Sequence, residues 1–140
     1  KHIYVKSVEL RNLKNEIADN FTVDENIVIL IKVAYNKLYP CPHISITIQN
    51  SMGDYLSTFV ENLQEHVLND AGEYMLKIKL QSNVIAPNAY FVRVALFLPM
   101  GEVYDILEMI CPFRIIDSGS KMAMFEGFNY GNFILGYEIL

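Results

Sequence analysis

The sequence predicts an all-β fold, a two-sheet antiparallel sandwich of about eight strands, on three observations. Apolar and polar residues alternate at period two in segment after segment, as they do where successive side chains face opposite sides of a strand. Turn signals built from Gly, Pro, Asn and Asp interrupt the pattern every roughly ten to fifteen residues. Helical periodicity is almost absent. With 52% hydrophobic residues, and nine Tyr and eight Phe for bulk, a 140-residue chain can bury its own core without disulfide or metal staples.

The first strand fits His2 to Leu10, with Ile3, Val5 and Leu10 apolar. Asn12 to Asn20 is polar and reads as a loop with room for a short helical turn at Lys14 to Ala18; Phe21 to Asn26 carries turn chemistry. Ile27 to Tyr35 is apolar on both faces, as a central strand covered on both sides would be. Tyr39-Pro40-Cys41-Pro42 is a loop, because proline cannot donate to a ladder. In His43 to Gln49, Ile44, Ile46 and Ile48 form one face and His43, Ser45, Thr47 and Gln49 the other. Asn50 to Asp54 is a turn, and Tyr55 to Thr58 a short strand. Phe59 to Asn69 is open between loop and helical turn, the latter suggested by Val60, Leu63 and Val67.

Asp70-Ala71-Gly72 turns into Glu73 to Leu80, where Tyr74, Leu76, Ile78 and Leu80 alternate with Glu73, Met75, Lys77 and Lys79. Ser82 to Asn88 connects to a strand from Ala89 to Leu98, and Pro99-Met100-Gly101 turns the chain again. Glu102 to Phe113 is a longer, less regular strand, Asp117 to Gly119 ends it, and Gly131 to Ile139 is a final strand. Neither linker nor repeat divides the chain, so residues 1–140 read as a single immunoglobulin-like or jelly-roll-like domain.

The net charge of −5, with no basic run, argues against nucleic acid, whose phosphates need clustered cations. Cys41 and Cys111 are too few for a disulfide framework and read as two reduced thiols of a cytoplasmic protein, a single bridge staying open if the chain is secreted. No segment approaches the ~18 apolar residues of a membrane span. Because the chain opens on Lys1, it reads as a module of a longer protein.

Phosphate-binding loops, dinucleotide fingerprints, C-x-x-C pairs and H-E-x-x-H are all missing. His2, His43 and His66 lie far apart and lack ligand spacing, so neither metal nor cofactor is implied. Cys41-Pro42-His43 brings a thiol near an imidazole, but at a proline turn entering a strand. Glu102, Asp105 and Glu108 are close in sequence, yet Glu102 and Asp105 fall on opposite faces of an extended segment; a solvated surface explains them better than a pair of catalytic carboxyls.

What remains is the open face. On the strand from Ala89, Tyr90, Val92, Val94, Leu96 and Leu98 form one set and Phe91, Arg93, Ala95 and Phe97 the other, and hydrophobicity alone does not choose between them. If the Tyr90 set is core, Phe91, Arg93 and Phe97 form an aromatic platform with one cation beside His43, Ser45, Thr47 and Gln49. Those seven residues are the candidate carbohydrate site: aromatic faces pack on the C–H faces of sugars, and forked or amide donors bond hydroxyls. The alternative puts Phe91 and Phe97 under a loop or in a dimer interface, with Arg93 paired to a carboxylate.

Several segments taken in order then carry a resemblance. They are Gly53-Asp54-Tyr55-Leu56, Gly72-Glu73-Tyr74-Met75-Leu76-Lys77-Ile78, Pro87-Asn88-Ala89-Tyr90-Phe91-Val92-Arg93-Val94, and Pro112-Phe113-Arg114-Ile115 with glycines at 119, 127 and 131. From about Ile3 to Gly136 the chain resembles the C-terminal domain of Wzt-type proteins, the ATP-binding subunits of bacterial ABC exporters for O-antigen polysaccharide. Ala89 departs from the Gly that such domains often place before the Tyr.

The resemblance implies a non-catalytic sandwich that recognises finished polysaccharide on its lipid carrier, on the cytoplasmic side of the inner membrane. The ATPase and membrane subunits of the transporter would be its partners. It also implies a homodimer in which the C-terminal strand, here Asn132 to Leu140 after the glycines at 127 and 131, exchanges between protomers. Two rivals stand beside it. A carbohydrate-binding module of a secreted hydrolase would carry a Cys41–Cys111 bridge and calcium; an immunoglobulin-like interaction domain would bind protein through its Phe91 face.

Overall fold

The computed structural model describes residues 2–66, 72–117, 129 and 131–140. Its strands are β1 (Ile3–Arg11), β2 (Asn20–Thr22), β3 (Ile27–Tyr35), β4 (His43–Asn50), β5 (Tyr55–Asn62), β6 (Glu73–Leu80), β7 (Asn88–Phe97) and β8 (Val103–Ile116), with a 3-10 turn at Leu63–Glu65. They form a three-stranded sheet, β1-β3-β6, and a five-stranded sheet, β2-β8-β7-β4-β5. This is the strand arrangement of an immunoglobulin-type sandwich, as the alternation predicts.

The core lies between the two inner faces. Ile27, Ile29, Ile31 and Val33 of β3 meet Ile44, Ile46 and Ile48 of β4 and the Tyr90, Val92, Val94 and Leu96 set of β7. That settles which face of β7 is inward. β3 is apolar on both sides because it is the middle strand of its sheet: even its outward Val28 and Leu30 are buried. Their register partners Arg11 and Lys79, and Glu9 and Lys77, flank them on either side, where their aliphatic stems can cover the sheet.

Four expectations are corrected. Asn20–Thr22, expected as loop and turn, is a strand that pairs with β8 in parallel, so the sheets are not wholly antiparallel. Three residues are too few to display a period, but Phe21 is fully buried against Phe113 and anchors them. β5 runs four residues beyond Thr58 before the 3-10 turn closes it, with Asn62 capping Gln64 N–H. β8 continues past Phe113 to Ile116 because β2 gives it a second partner there. Residues 131–140 form no strand; Phe133 makes only an isolated bridge to Ile85. Alternation alone does not make a strand, which exists by pairing. The suggested contributions of Val67 and of the breaks at 70–71 and 118–119 lie outside the described residues.

β8 is irregular for a visible reason. Leu107, Ile110 and Phe113 face Val94, Val92 and Tyr90, so β8 spends three residues for every two of β7. The extra residues are bulges, and two of the residues there, Met109 (φ 52°) and Cys111 (φ 49°), take the left-handed backbone that non-glycine residues rarely adopt. Cys111 Sγ lies 3.4 Å from the Val8 carbonyl and Cys41 Sγ 3.4 Å from the Tyr74 hydroxyl; both thiols are free.

At the start of β7 the Tyr90 hydroxyl donates to the Ala86 carbonyl at 2.6 Å, the tyrosine corner of such sandwiches. Burial pushes the Tyr90 phenol up to about 12, and burial likewise raises that of Tyr74. An unfolded tyrosine ionises near ~10. Between those values the folded state holds a proton that the unfolded chain releases, so stability is full below pH ~10 and falls as pH rises towards ~12. Tyr90→Phe is expected to cost about 1 kcal/mol at neutral pH and to flatten part of this alkaline decline. Urea unfolding at a series of pH values checks it; an unchanged slope would rule Tyr90 out as a cause.

Candidate functional site

The register brings the predicted residues together. His43, Ser45, Thr47 and Gln49 of β4 stand directly opposite Phe97, Ala95, Arg93 and Phe91 of β7. All eight lie on the outer face of the large sheet, because their alternates fill the core. All seven candidates therefore share one surface.

They do not share its accessibility. Phe91, Arg93, Phe97 and His43 are half-buried, whereas Ser45, Thr47 and Gln49 are 7%, 0% and 2% exposed. These three were expected on an open face, and the structure covers them. β4 runs between β5 and β7, so flanking side chains close over its short polar groups. Their polarity is satisfied sideways: the Thr47 and Thr58 hydroxyls share a 2.8 Å hydrogen bond. Gln49 donates through Nε2 to the Gly53 carbonyl at 3.2 Å and accepts through Oε1 from the Met109 N–H at 3.1 Å. It thus ties the β4–β5 turn to the bulge of β8 across β7. His43 Nδ1 is buried without a partner among the described residues, and its ring lies 6.0 Å from that of Phe97. Phe91 and Phe97 are six residues apart on one strand, about 20 Å, so they flank Arg93 at a distance and do not share one sugar ring.

The reach of Arg93 defines the centre of this face. Its Nε donates to Glu108 Oε1 at 2.9 Å, and its guanidinium carbon lies 5.1 Å from the ring centroid of Tyr55. The Tyr55 hydroxyl donates to the same Glu108 oxygen at 3.0 Å. The bond from Arg93, then that from Tyr55, holds the Glu108 carboxyl below its usual range, and the bond to Glu108 raises the Tyr55 phenol. Arg93 is paired to a carboxylate, as the alternative reading allowed. Sequence reasoning missed Tyr55 and Glu108: Tyr55 begins a strand beyond a turn, and the bulged strand that presents Glu108 has no glycine to announce it.

The face changes character along its length. Towards Phe97 it is apolar, with Val60, Val103 and Ile106 exposed. Towards Arg93 it presents an aromatic ring, a guanidinium and a carboxylate within contact of one another. Among the described residues no three His, Cys, Asp or Glu side chains converge as a metal site would require.

A family model described as the Wzt C-terminal domain matches residues 1–130. Among solved structures, one titled "Crystal structure of the C-terminal domain of wzt" superposes with a TM-score of 0.73 at 13% identity, covering 99% of this chain and 83% of that one. At that identity the likeness carries the fold alone. Comparison with curated proteins gives no match. The family model spans nearly the whole chain, and the fold agrees with it: this protein belongs to the Wzt C-terminal domain family.

Proposed function

We propose that this domain binds polysaccharide cargo for an ATP-driven exporter, without catalysis, on the outer face of its five-stranded sheet. Family membership supports the role, and the Arg93–Glu108–Tyr55 cluster is the observation that favours this face. Such a cluster offers donors, an acceptor and a ring to a polyhydroxylated ligand. In this reading the cargo sits on a lipid carrier at the inner membrane, and the domain reaches it from the cytoplasmic side through the transporter's ATPase and membrane subunits. No helix of the described residues is long and apolar enough to cross a membrane. The contacts with sugar fall to Arg93, Phe91, Phe97 and His43, joined by Tyr55 and Glu108; Ser45, Thr47 and Gln49 support them from beneath. The test is titration of the chain with a panel of purified bacterial surface polysaccharides, neutral and acidic. Saturable binding to some members supports the reading, and binding to none overturns it.

A homodimer is the second part of the proposal. Leu135, Tyr137, Ile139 and Leu140 are 78%, 77%, 89% and 112% exposed, an apolar run left uncovered by the described residues of a single chain. β5 and β6 are sheet edges that a strand from a second copy could cover. Exchange of residues 134–140 would bury the tail and raise avidity through two linked sites. Sedimentation is expected to give a dimer for the whole chain and a monomer once residues 134–140 are removed. A monomeric whole chain, or a dimer indifferent to the truncation, rejects exchange.

A second reading, a protein-interaction face, is favoured by one observation: the exposed Val60, Val103 and Ile106 at the Phe97 end. It predicts no response to any polysaccharide in the same titration.

A further inference from the structure

The pairing of Arg93 with Glu108 leaves specific atoms unused. Both bonds to Glu108 converge on Oε1, and among the described residues nothing bonds Oε2. The same holds for the two terminal nitrogens of Arg93, whose single hydrogen bond leaves from Nε. The Glu108 side chain is 52% exposed and that of Arg93 16% exposed, so a free acceptor stands at the surface beside a partly open donor edge. The two are held in place: Tyr55 supports both from one side, and Gln49 fixes the backbone of Met109, the residue after Glu108.

We infer that Glu108 and Arg93 together grip two adjacent hydroxyls of an uncharged sugar, one hydroxyl donating to Glu108 Oε2 and its neighbour accepting from the Arg93 guanidinium. This rests on the reading of this face as a polysaccharide site and names the class of sugar it takes. The bond between Arg93 Nε and Glu108 Oε1 holds the unused carboxylate oxygen and the unused guanidinium nitrogens side by side, so a donating hydroxyl and an accepting hydroxyl on neighbouring ring carbons can meet them together. A lone acceptor-only group such as a phosphate or uronate could satisfy Arg93 only by approaching a half-exposed carboxylate. Its positive charge is already matched, since Glu108 is ionised wherever the pair forms. Arg114, opposite Ala89, is the other arginine that the register puts on this face, four residues away along β7 and too distant to offset Glu108.

The panel of neutral and acidic polysaccharides is used again, each binder tested before and after periodate oxidation with borohydride reduction, which cleaves bonds between carbons bearing adjacent hydroxyls. Wild type is compared with Glu108→Gln, which removes the charge and half of the acceptor capacity at a surface position, and circular dichroism confirms that the variant is folded. The expected result is that the binders are neutral, that periodate abolishes their binding, and that Glu108→Gln weakens them about tenfold. Binding confined to uronate- or phosphate-bearing members, binding that survives periodate, or an unchanged affinity in Glu108→Gln each overturn the inference while leaving polysaccharide binding intact. A panel without any binder removes the function reading itself.

Discussion

Arg93→Ala is expected to abolish measurable polysaccharide binding while leaving the domain folded. The side chain lies at the middle of the outer face, between Phe91 and Phe97, and is the residue to which both Tyr55 and Glu108 are joined. Its loss removes three things together: the donor edge, the cation over the Tyr55 ring, and the partner that orients the Glu108 carboxylate. Charge-assisted hydrogen bonds to a ligand are each worth tenfold or more in affinity, roughly 1.5–3 kcal/mol. The fold survives because Arg93 belongs to the outer face of the sheet, while its neighbours Val92 and Val94 fill the core. Tyr55 and Glu108 keep their mutual bond. Calorimetric titration beside a thermal melt separates the two effects. An affinity equal to wild type would move the site off this face; a collapsed melt would make Arg93 a structural residue first.

The position of the candidate site was half legible. Alternation in β4 identified its outer face correctly, because Ile44, Ile46 and Ile48 admit only one inward choice. It could not say how wet that face is. Polar residues on a central strand are covered from both sides and bond laterally, as Thr47 and Gln49 do, so period-two polarity reports direction and not exposure. On β7 even direction was hidden: Ala95 points outward yet is 5% exposed, and a strand in the middle of a five-stranded sheet can afford apolar residues on either side. The partners of Arg93 were invisible for another reason. Which residue of β8 faces Arg93 depends on bulges at non-glycine positions, and each bulge shifts the register by one residue. The same limit explains the C-terminal segment: residues 132–140 carry a strand's pattern, but the pattern does not name the partner that would make it one.

Asp105→Ala is expected to lower stability more than any surface change, because Asp105 joins the two sheets. Sequence reasoning placed this carboxylate among solvated surface groups, yet it is 7% exposed and faces inward opposite Leu96. Its Oδ2 accepts the Val5 N–H at 2.9 Å. β1 is an edge strand, with β3 on one side only, and its ladder shifts register between Val5 and Ser7. The amide at that shift has Asp105 of β8 as its acceptor, so a single side chain closes the seam between β1 and β8, with the thiol of Cys111 meeting Val8 a few residues on. Alanine would leave a buried N–H without an acceptor and a gap beside it. The unpaired donor alone costs about 1–3 kcal/mol, which for a domain of this size is a fall in melting temperature of roughly 3–10 °C. Asp105→Asn keeps an oxygen for Val5 and should recover a good part of the loss. Urea unfolding of the three proteins side by side is the measurement. If alanine and wild type share one midpoint, the seam is held by packing alone; if asparagine is as damaging as alanine, the negative charge of Asp105 matters more than the bond it makes to Val5.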